Sequence, residues 1–185
     1  LRMIAPKEQT KVRFEVVESP TESGLGFNPA GFSKGGNATC PFCGTVADSD
    51  FVKIEGCAKR MGNQLMAVVC TRSGRQGKVY ISASNCPEYA PDDEVIRRRI
   101  EAMCHHTGLT VPSELITTDA KNSCWTYLYG LKTFGDLFTL RQMLCLLTFA
   151  SVIHKAERSL VKLTDLGVAE AAVACLSVLI DRLAD

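Results

Sequence analysis

Hydrophobic positions alternate in the first half of the chain and recur with helical spacing in the second half. In residues 11–18, Val12, Phe14 and Val16 alternate with charged neighbours, which predicts a half-buried strand. The segments NQLMAVVC and GKVYISA flank the glycine-containing segment TRSGRQG and predict a β-hairpin. Residues 19–39 contain seven glycines or prolines and predict a long loop.

Three segments of the second half have the periodicity of amphipathic helices. The first, PDDEVIRRRIEAMCHH, places acidic residues at the positive end of the helix dipole and two histidines at the negative end. The second begins at Thr139, for which Gln142 completes a capping box, and the third covers residues 168–185. These last two predict a helical hairpin, and the preceding WTYLYG predicts a short aromatic strand.

The clearest chemical signal is the C-x-x-C motif in GGNATCPFCGT, whose cysteines are Cys40 and Cys43. A two-residue spacer lets both thiolates reach one metal ion, and the following glycine permits a turn that directs backbone N–H groups at the sulfurs. A redox pair would require a helix that begins at the first cysteine and lowers its pKa. Because no helix is predicted there, we interpret Cys40 and Cys43 as zinc ligands.

A structural zinc ion normally has four ligands, so this motif accounts for half of a site. Other cysteines offer no second knuckle by their spacing, and the alternatives stay open. The candidates are Cys57 with Cys70, Cys86 before a proline, and Cys104 beside two histidines. Cys145 and Cys175 lie in apolar helical patterns, where we expect reduced cysteines to act as small hydrophobic residues.

These patterns predict an α+β fold, with a small zinc-ribbon-like β region and hairpin followed by helices that include a C-terminal helical hairpin. Residues 1–90 are predicted to form the β-rich region and residues 91–185 the mainly helical region. A chain of 185 residues, 46% of them hydrophobic, suits one compact domain or two small ones. No segment reaches the roughly 18 apolar residues that span a bilayer, so we expect a soluble, cytoplasmic protein without a membrane partner.

Basic residues cluster between residues 53 and 78, where Glu55 is the one acidic residue. On a hairpin such a cluster would bind phosphates, and its alternative is an ordinary solvated face. The net charge of the whole chain, +1, neither requires nor excludes a nucleic-acid partner. The candidate DNA-binding residues are Lys59, Arg60, Arg72, Arg75 and Lys78.

The sequence contains no motif that would support catalysis by this chain alone. It has no P-loop, H-E-x-x-H, G-x-S-x-G, or strand followed by G-x-G-x-x-G. In the glycine-rich segment GLGFNPAGF, Ala30 follows Asn28 and Pro29 where a D/N-P-P-Y motif has its second proline. We therefore expect no catalytic and no cofactor-binding residues here, and an inactive chain in isolation.

Five segments together resemble the bacterial and archaeal adenine-specific DNA methylases that contain a zinc ribbon. In chain order these segments are VRFEVVE, GNATCPFCGT, GCAKRMGNQLMAVV, YGLKTFGDLFTLRQMLCLLTFA and LSVLIDRLAD. The resemblance covers about residues 12–185. Its most specific parts are the Arg60-Met61-Gly62 block and the segment from Phe134 to Phe138 that leads to Arg141.

The resemblance implies an internal region of a longer polypeptide that transfers a methyl group from S-adenosylmethionine to N6 of adenine. A cysteine knuckle before Leu1 would complete the zinc ribbon, and the D/N-P-P-Y motif would lie in another part of the polypeptide. The implied partners are DNA and the rest of the methylase, in a restriction–modification or phage-defence setting. Cys40 and Cys43 carry over as metal ligands, and the basic hairpin carries over as a DNA-contacting surface.

Two other functions fit the same residues. The first is a non-enzymatic zinc-ribbon module that binds nucleic acid or another protein. The second is a thiol redox protein in which Cys40 has a low pKa.

Overall fold

The computed structural model describes residues 1–28, 33–74, 76–90, 92–117 and 124–184. These residues form two compact units, which we call the β unit (residues 1–91 and 117–131) and the helical unit (residues 92–116 and 132–185). Short antiparallel strands dominate the β unit, and long helices follow in the helical unit. The predicted α+β class is confirmed at this level.

The β unit begins with two paired strands and a three-stranded meander. Strand β1 (Arg2–Ile4) pairs antiparallel with β2 (Arg13–Glu15), which is the predicted strand in a shorter form. Strands β3 (Ser33–Lys34), β4 (Asn37–Thr39) and β5 (Val46–Ala47) follow in sequence order. Gly35 and Gly36 both have positive φ and form the two-residue turn between β3 and β4, a conformation that glycine adopts without steric cost.

A helix that the hydrophobic pattern did not predict follows the meander. Helix α1 (Ser49–Cys57) begins where the Asp48 carboxylate accepts a 2.8 Å hydrogen bond from the backbone N–H of Phe51. It ends in a Schellman motif, because the N–H groups of Lys59 and Arg60 donate to the carbonyls of Gly56 and Glu55. Lys59 has φ 55°, a left-handed conformation that glycine usually occupies.

The predicted aromatic strand WTYLYG is wrong, because helix α3 (Cys124–Leu128) occupies this segment. The Thr126 carbonyl accepts from the N–H groups of Tyr129 and Leu131, and Gly130 reverses the chain with φ 77°. A Cβ atom at Gly56 of α1 would lie 2.8 Å from the Tyr129 carbonyl oxygen. This close packing of α1 on the α3 segment overrides the strand preference of the aromatic residues.

The predicted β-hairpin is confirmed as the last sheet of the β unit. Strand β6 (Ala67–Thr71) pairs antiparallel with β7 (Lys78–Ser82), with Val69 opposite Tyr80 and Thr71 opposite Lys78. Ser82 is buried, and its Oγ accepts a 2.9 Å hydrogen bond from the backbone N–H of Val16.

The helical unit contains three long helices: α2 (Asp93–Thr107), α4 (Leu140–Leu163) and α5 (Leu166–Ala184). The predicted capping box is confirmed, since Thr139 N–H donates to the Gln142 side chain at 2.9 Å and Gln142 N–H donates back. Helix α4 packs against both α2 and α5, so the C-terminal helical hairpin is also present. The core of the helical unit lies between α2 and α4 and contains Ile96, Ile100, Met143 and Leu147. Among the described residues, no helix is both long and apolar enough to cross a membrane.

Candidate metal-binding knuckle and basic hairpin

The loop between β4 and β5 carries both cysteines of the C-x-x-C motif. Cys40 N–H donates to the Thr45 carbonyl at 2.8 Å, and Gly44 N–H donates to the Cys40 carbonyl at 2.9 Å. Gly44 takes φ 75°, which turns the chain after Cys43. These contacts define the knuckle, residues 40–45, as a closed hairpin loop. Cys40 is half-buried and Cys43 is exposed.

The sulfur of Cys43 hydrogen-bonds with groups of Thr45 and Cys40. The Cys43 Sγ lies 3.2 Å from the Thr45 Oγ1. The hydroxyl and then the backbone N–H of Thr45, followed by the Cys40 thiol, hydrogen-bond this sulfur and lower the pKa of Cys43. Donors aimed at a thiolate are the arrangement that supports a metal-ligating cysteine. Thr45 was not singled out from the sequence, although its place directly after C-x-x-C-G is the signal that would have identified it.

The knuckle brings two thiols together, those of Cys40 and Cys43. Among the described residues, no group of three or more His, Cys, Asp or Glu side chains lies close enough to hold one metal. The Cys57 thiol instead donates to the Leu128 carbonyl at 3.5 Å, and Cys86 is buried. The described residues therefore fit half of a tetrahedral zinc site, and the four-ligand site is not formed by them.

The helix that a redox pair requires does not begin at Cys40, because β4 ends directly before it and a hairpin loop follows. The thiol with the lowered pKa is also the second cysteine of the motif, Cys43. In thiol oxidoreductases a helix N-terminus stabilises the thiolate of the first cysteine. The loop geometry thus favours metal ligation over redox chemistry.

Four of the five candidate DNA-binding residues are described, and they lie at two places. Lys59 and Arg60 follow the C-terminal end of α1, whereas Arg72 and Lys78 flank the turn of the β6–β7 hairpin. Arg75 lies outside the described residues. The knuckle strands and the β6–β7 hairpin belong to separate sheets. Within the described part of the chain, these elements do not form one continuous ribbon.

The charges of these basic residues are not equally available. Arg60 donates two hydrogen bonds to the Glu55 carboxylate, at 2.8 Å from Nε and 2.6 Å from Nη2, and this contact lowers the pKa of Glu55. Arg72 and Lys78 are exposed and form no ion pair within the described residues. The hairpin end is therefore the stronger candidate for phosphate contacts.

Residues 134–138, among the most specific in the resemblance, have a structural role in the helical unit. Gly135 N–H donates to the Pro112 carbonyl at 2.9 Å, and a Cβ atom there would lie 2.5 Å from that oxygen. The Asp136 carboxylate accepts hydrogen bonds from the N–H groups of Lys132 and Thr133. These contacts fix a tight turn before α4, which gives this segment a role in packing.

Comparisons with protein-family models, with curated proteins and with solved structures find no match to this chain.

Proposed function

We propose that this chain is an internal region of an S-adenosylmethionine-dependent methyltransferase that modifies N6 of adenine in DNA. Its contribution is a zinc-binding knuckle, residues 40–45, and DNA contacts made by the basic residues. Zinc would cross-link the thiolates of Cys40 and Cys43 and fix the loop. S-adenosylmethionine and the target adenine would be bound by other parts of the polypeptide, because this sequence contains no D/N-P-P-Y motif.

The observation that carries the proposal is the knuckle itself. Two thiols share a closed hairpin loop in which the hydroxyl and the backbone N–H of Thr45 hydrogen-bond with the sulfur of Cys43. This environment favours the thiolate, the form of cysteine that ligates zinc. The DNA-contact part of the proposal is supported by residues 56–87, which contain five Lys or Arg residues and no Asp or Glu.

Metal content tests the knuckle directly. The full-length polypeptide that contains this chain is purified with zinc, dialysed and analysed by elemental mass spectrometry beside its Cys40→Ser and Cys43→Ser variants. We expect bound zinc in the wild type and its loss in both variants, while Cys145→Ser, which changes an exposed cysteine of the helical unit, retains it. Equal zinc content in all four proteins would contradict the assignment of these ligands.

Methyl transfer tests the enzymatic part. The full-length polypeptide that contains this chain is incubated with duplex DNA and S-adenosylmethionine labelled in its methyl group. The expected product is N6-methyladenine, identified by mass spectrometry of the digested nucleosides. A full-length polypeptide that binds DNA and zinc without methylating adenine would instead establish the non-enzymatic zinc-ribbon module.

A further inference from the structure

One face of the β6–β7 hairpin carries an exposed aromatic side chain near exposed basic residues. Residues opposite each other in an antiparallel pair lie on the same face, and so do residues two apart in one strand. Val69, Thr71, Lys78 and Tyr80 therefore share what we call the outer face. Tyr80 is 49% exposed and Val69 is 54% exposed, so about half of each of these side chains is accessible to a ligand.

The turn end of the outer face carries positive charge. Lys78 stands two residues from Tyr80 on β7, and Arg72 follows β6 directly at the same end of the hairpin. Neither side chain forms an ion pair within the described residues. Lys78 on the same face as the ring, with Arg72 at the adjacent turn, complements a ligand that alternates aromatic planes with negative charges, which is the chemistry of a nucleic-acid strand with unpaired bases.

A groove lies beside Tyr80 at the opposite end of the outer face. Its volume is about 600 Å³, within the roughly 300–1,000 Å³ of small-molecule sites. Val17, Met66 and Val69 give it apolar walls, and Glu18 lines its rim. The carboxylate of Glu18 repels a phosphate, but it can accept hydrogen bonds from the exocyclic amino group of a base. The groove therefore suits a base, and the cationic end of the hairpin suits the backbone.

From this arrangement we infer that the outer face of the β6–β7 hairpin binds single-stranded DNA, with Tyr80 stacking on an unpaired base and Lys78 and Arg72 contacting phosphates. The inference rests on the proposed function. It assigns the proposed DNA contacts to one surface of the protein and to one form of DNA. A duplex presents its phosphates to Lys78 and Arg72 but keeps its bases stacked away from Tyr80. Preference for a single strand therefore depends on the ring and not on the charges.

The test measures fluorescence anisotropy of labelled oligodeoxycytidylate, whose bases carry an exocyclic amino group, and of a duplex of the same length. Tyr80→Ala is expected to weaken single-strand binding roughly tenfold, because one base–aromatic stack is lost, and to leave duplex binding unchanged. Tyr80→Phe should bind like the wild type, whereas Tyr80→Leu, which keeps the apolar volume without the aromatic ring, should behave like Tyr80→Ala. Tyr89→Ala is the matched control, since Tyr89 is similarly exposed but follows the acidic Glu88.

Different outcomes separate this inference from the proposed function. The double variant Arg72→Ala/Lys78→Ala should weaken binding of both DNA forms. It should also reduce the slope of the logarithm of the binding constant against the logarithm of salt concentration by about one or more. If it does so while Tyr80→Ala and Tyr80→Leu bind the single strand like the wild type, the stacking site is wrong and the DNA-contact proposal stands. If neither DNA form binds the chain, the single-strand inference and the DNA-contact part of the proposed function are both wrong. Zinc retention and methyl transfer then test the remaining parts of the proposed function separately.

Discussion

The β unit and the helical unit bury hydrophobic residues to very different extents. In the helical unit the described buried hydrophobic residues are Ile96, Ile100, Ile116, Met143, Leu147, Ile153 and Ala169, whereas in the β unit Cys86 alone reaches that level. The β unit is instead organised by turns, caps, a close helix–helix contact and the knuckle. Small units with little core commonly rely on a metal or on cross-links. We therefore expect core substitutions to destabilise the helical unit, and changes to the backbone or to metal binding to act on the β unit.

The largest expected effect is in the helical unit. Ile100 is 6% exposed and packs in the cluster shared by α2 and α4, so Ile100→Ala should lower the free energy of unfolding by about 2–5 kcal/mol. Urea unfolding followed by far-ultraviolet circular dichroism measures this change. Val152→Ala, at a 54% exposed position of α4, is the control and should change stability by less than about 0.5 kcal/mol. Equal losses for both variants would show that the cluster is not a core.

The next effect breaks the packing of the β unit. Gly→Ala in a helix normally stabilises by about 1 kcal/mol, but at Gly56 the new Cβ would lie 2.8 Å from the Tyr129 carbonyl oxygen. We expect Gly56→Ala to destabilise this unit by about 1–3 kcal/mol, measured by the fluorescence of Trp125 during urea unfolding. Gly62→Ala, which meets no atom within 4 Å, should have little effect. A more stable Gly56→Ala protein would contradict the close approach of α1 and α3.

A smaller effect, of opposite sign, comes from the end of α1. Because Lys59 holds a left-handed backbone conformation in the Schellman motif, Lys59→Gly should stabilise the β unit by about 1 kcal/mol. Lys59→Ala keeps the steric cost of a Cβ atom and should give no such gain. The same Trp125 signal measures both variants, and identical stabilities of the glycine and alanine variants would exclude the strain explanation.

The smallest effect concerns the pH dependence of the knuckle. Hydrogen bonds from Thr45 lower the pKa of Cys43 in the folded chain. The ionised thiol therefore contributes stability above the ordinary thiol pKa, and this contribution is lost as the pH falls through the lowered value. Thr45→Val should move the pH profile of Cys43 alkylation to higher pH, as measured by mass spectrometry. Thr45→Ser retains the hydroxyl and should restore the wild-type profile, and coincident profiles for all three proteins would contradict the role of the hydroxyl.

Local signals in the sequence predicted the parts of the fold that local interactions determine. The capping box of Thr139 and Gln142 and the glycine-containing turn of the β6–β7 hairpin involve neighbouring residues, and both elements are present. Helix α1 was missed because it is only nine residues long and lies in a region that the strand patterns dominate. The error at WTYLYG arose from a contact with α1, which lies about seventy residues earlier in the chain.

The hydrophobic periodicity was least informative about which apolar faces are buried. Cys145 and Cys175 were expected to act as small hydrophobic residues in apolar helical patterns, and both are exposed in the described helical hairpin. Periodicity shows that a face is apolar, whereas burial depends on which other elements cover it. The candidate site has the same limit. The motif identified the two cysteines, but the pattern did not show that the knuckle and the β6–β7 hairpin belong to separate sheets.

The closed loop of the knuckle has a consequence for the kinetics of metal capture. The hydrogen bond from Cys40 N–H to the Thr45 carbonyl holds the ends of the loop together before any ion arrives. If the knuckle binds zinc as proposed, an ion captured by the thiolate of Cys43 would meet the second thiol at a high effective concentration, on the millimolar scale or above for a short tether. Two-point attachment would then follow first contact quickly, while the remaining coordination positions would stay accessible to ligands from another segment or molecule.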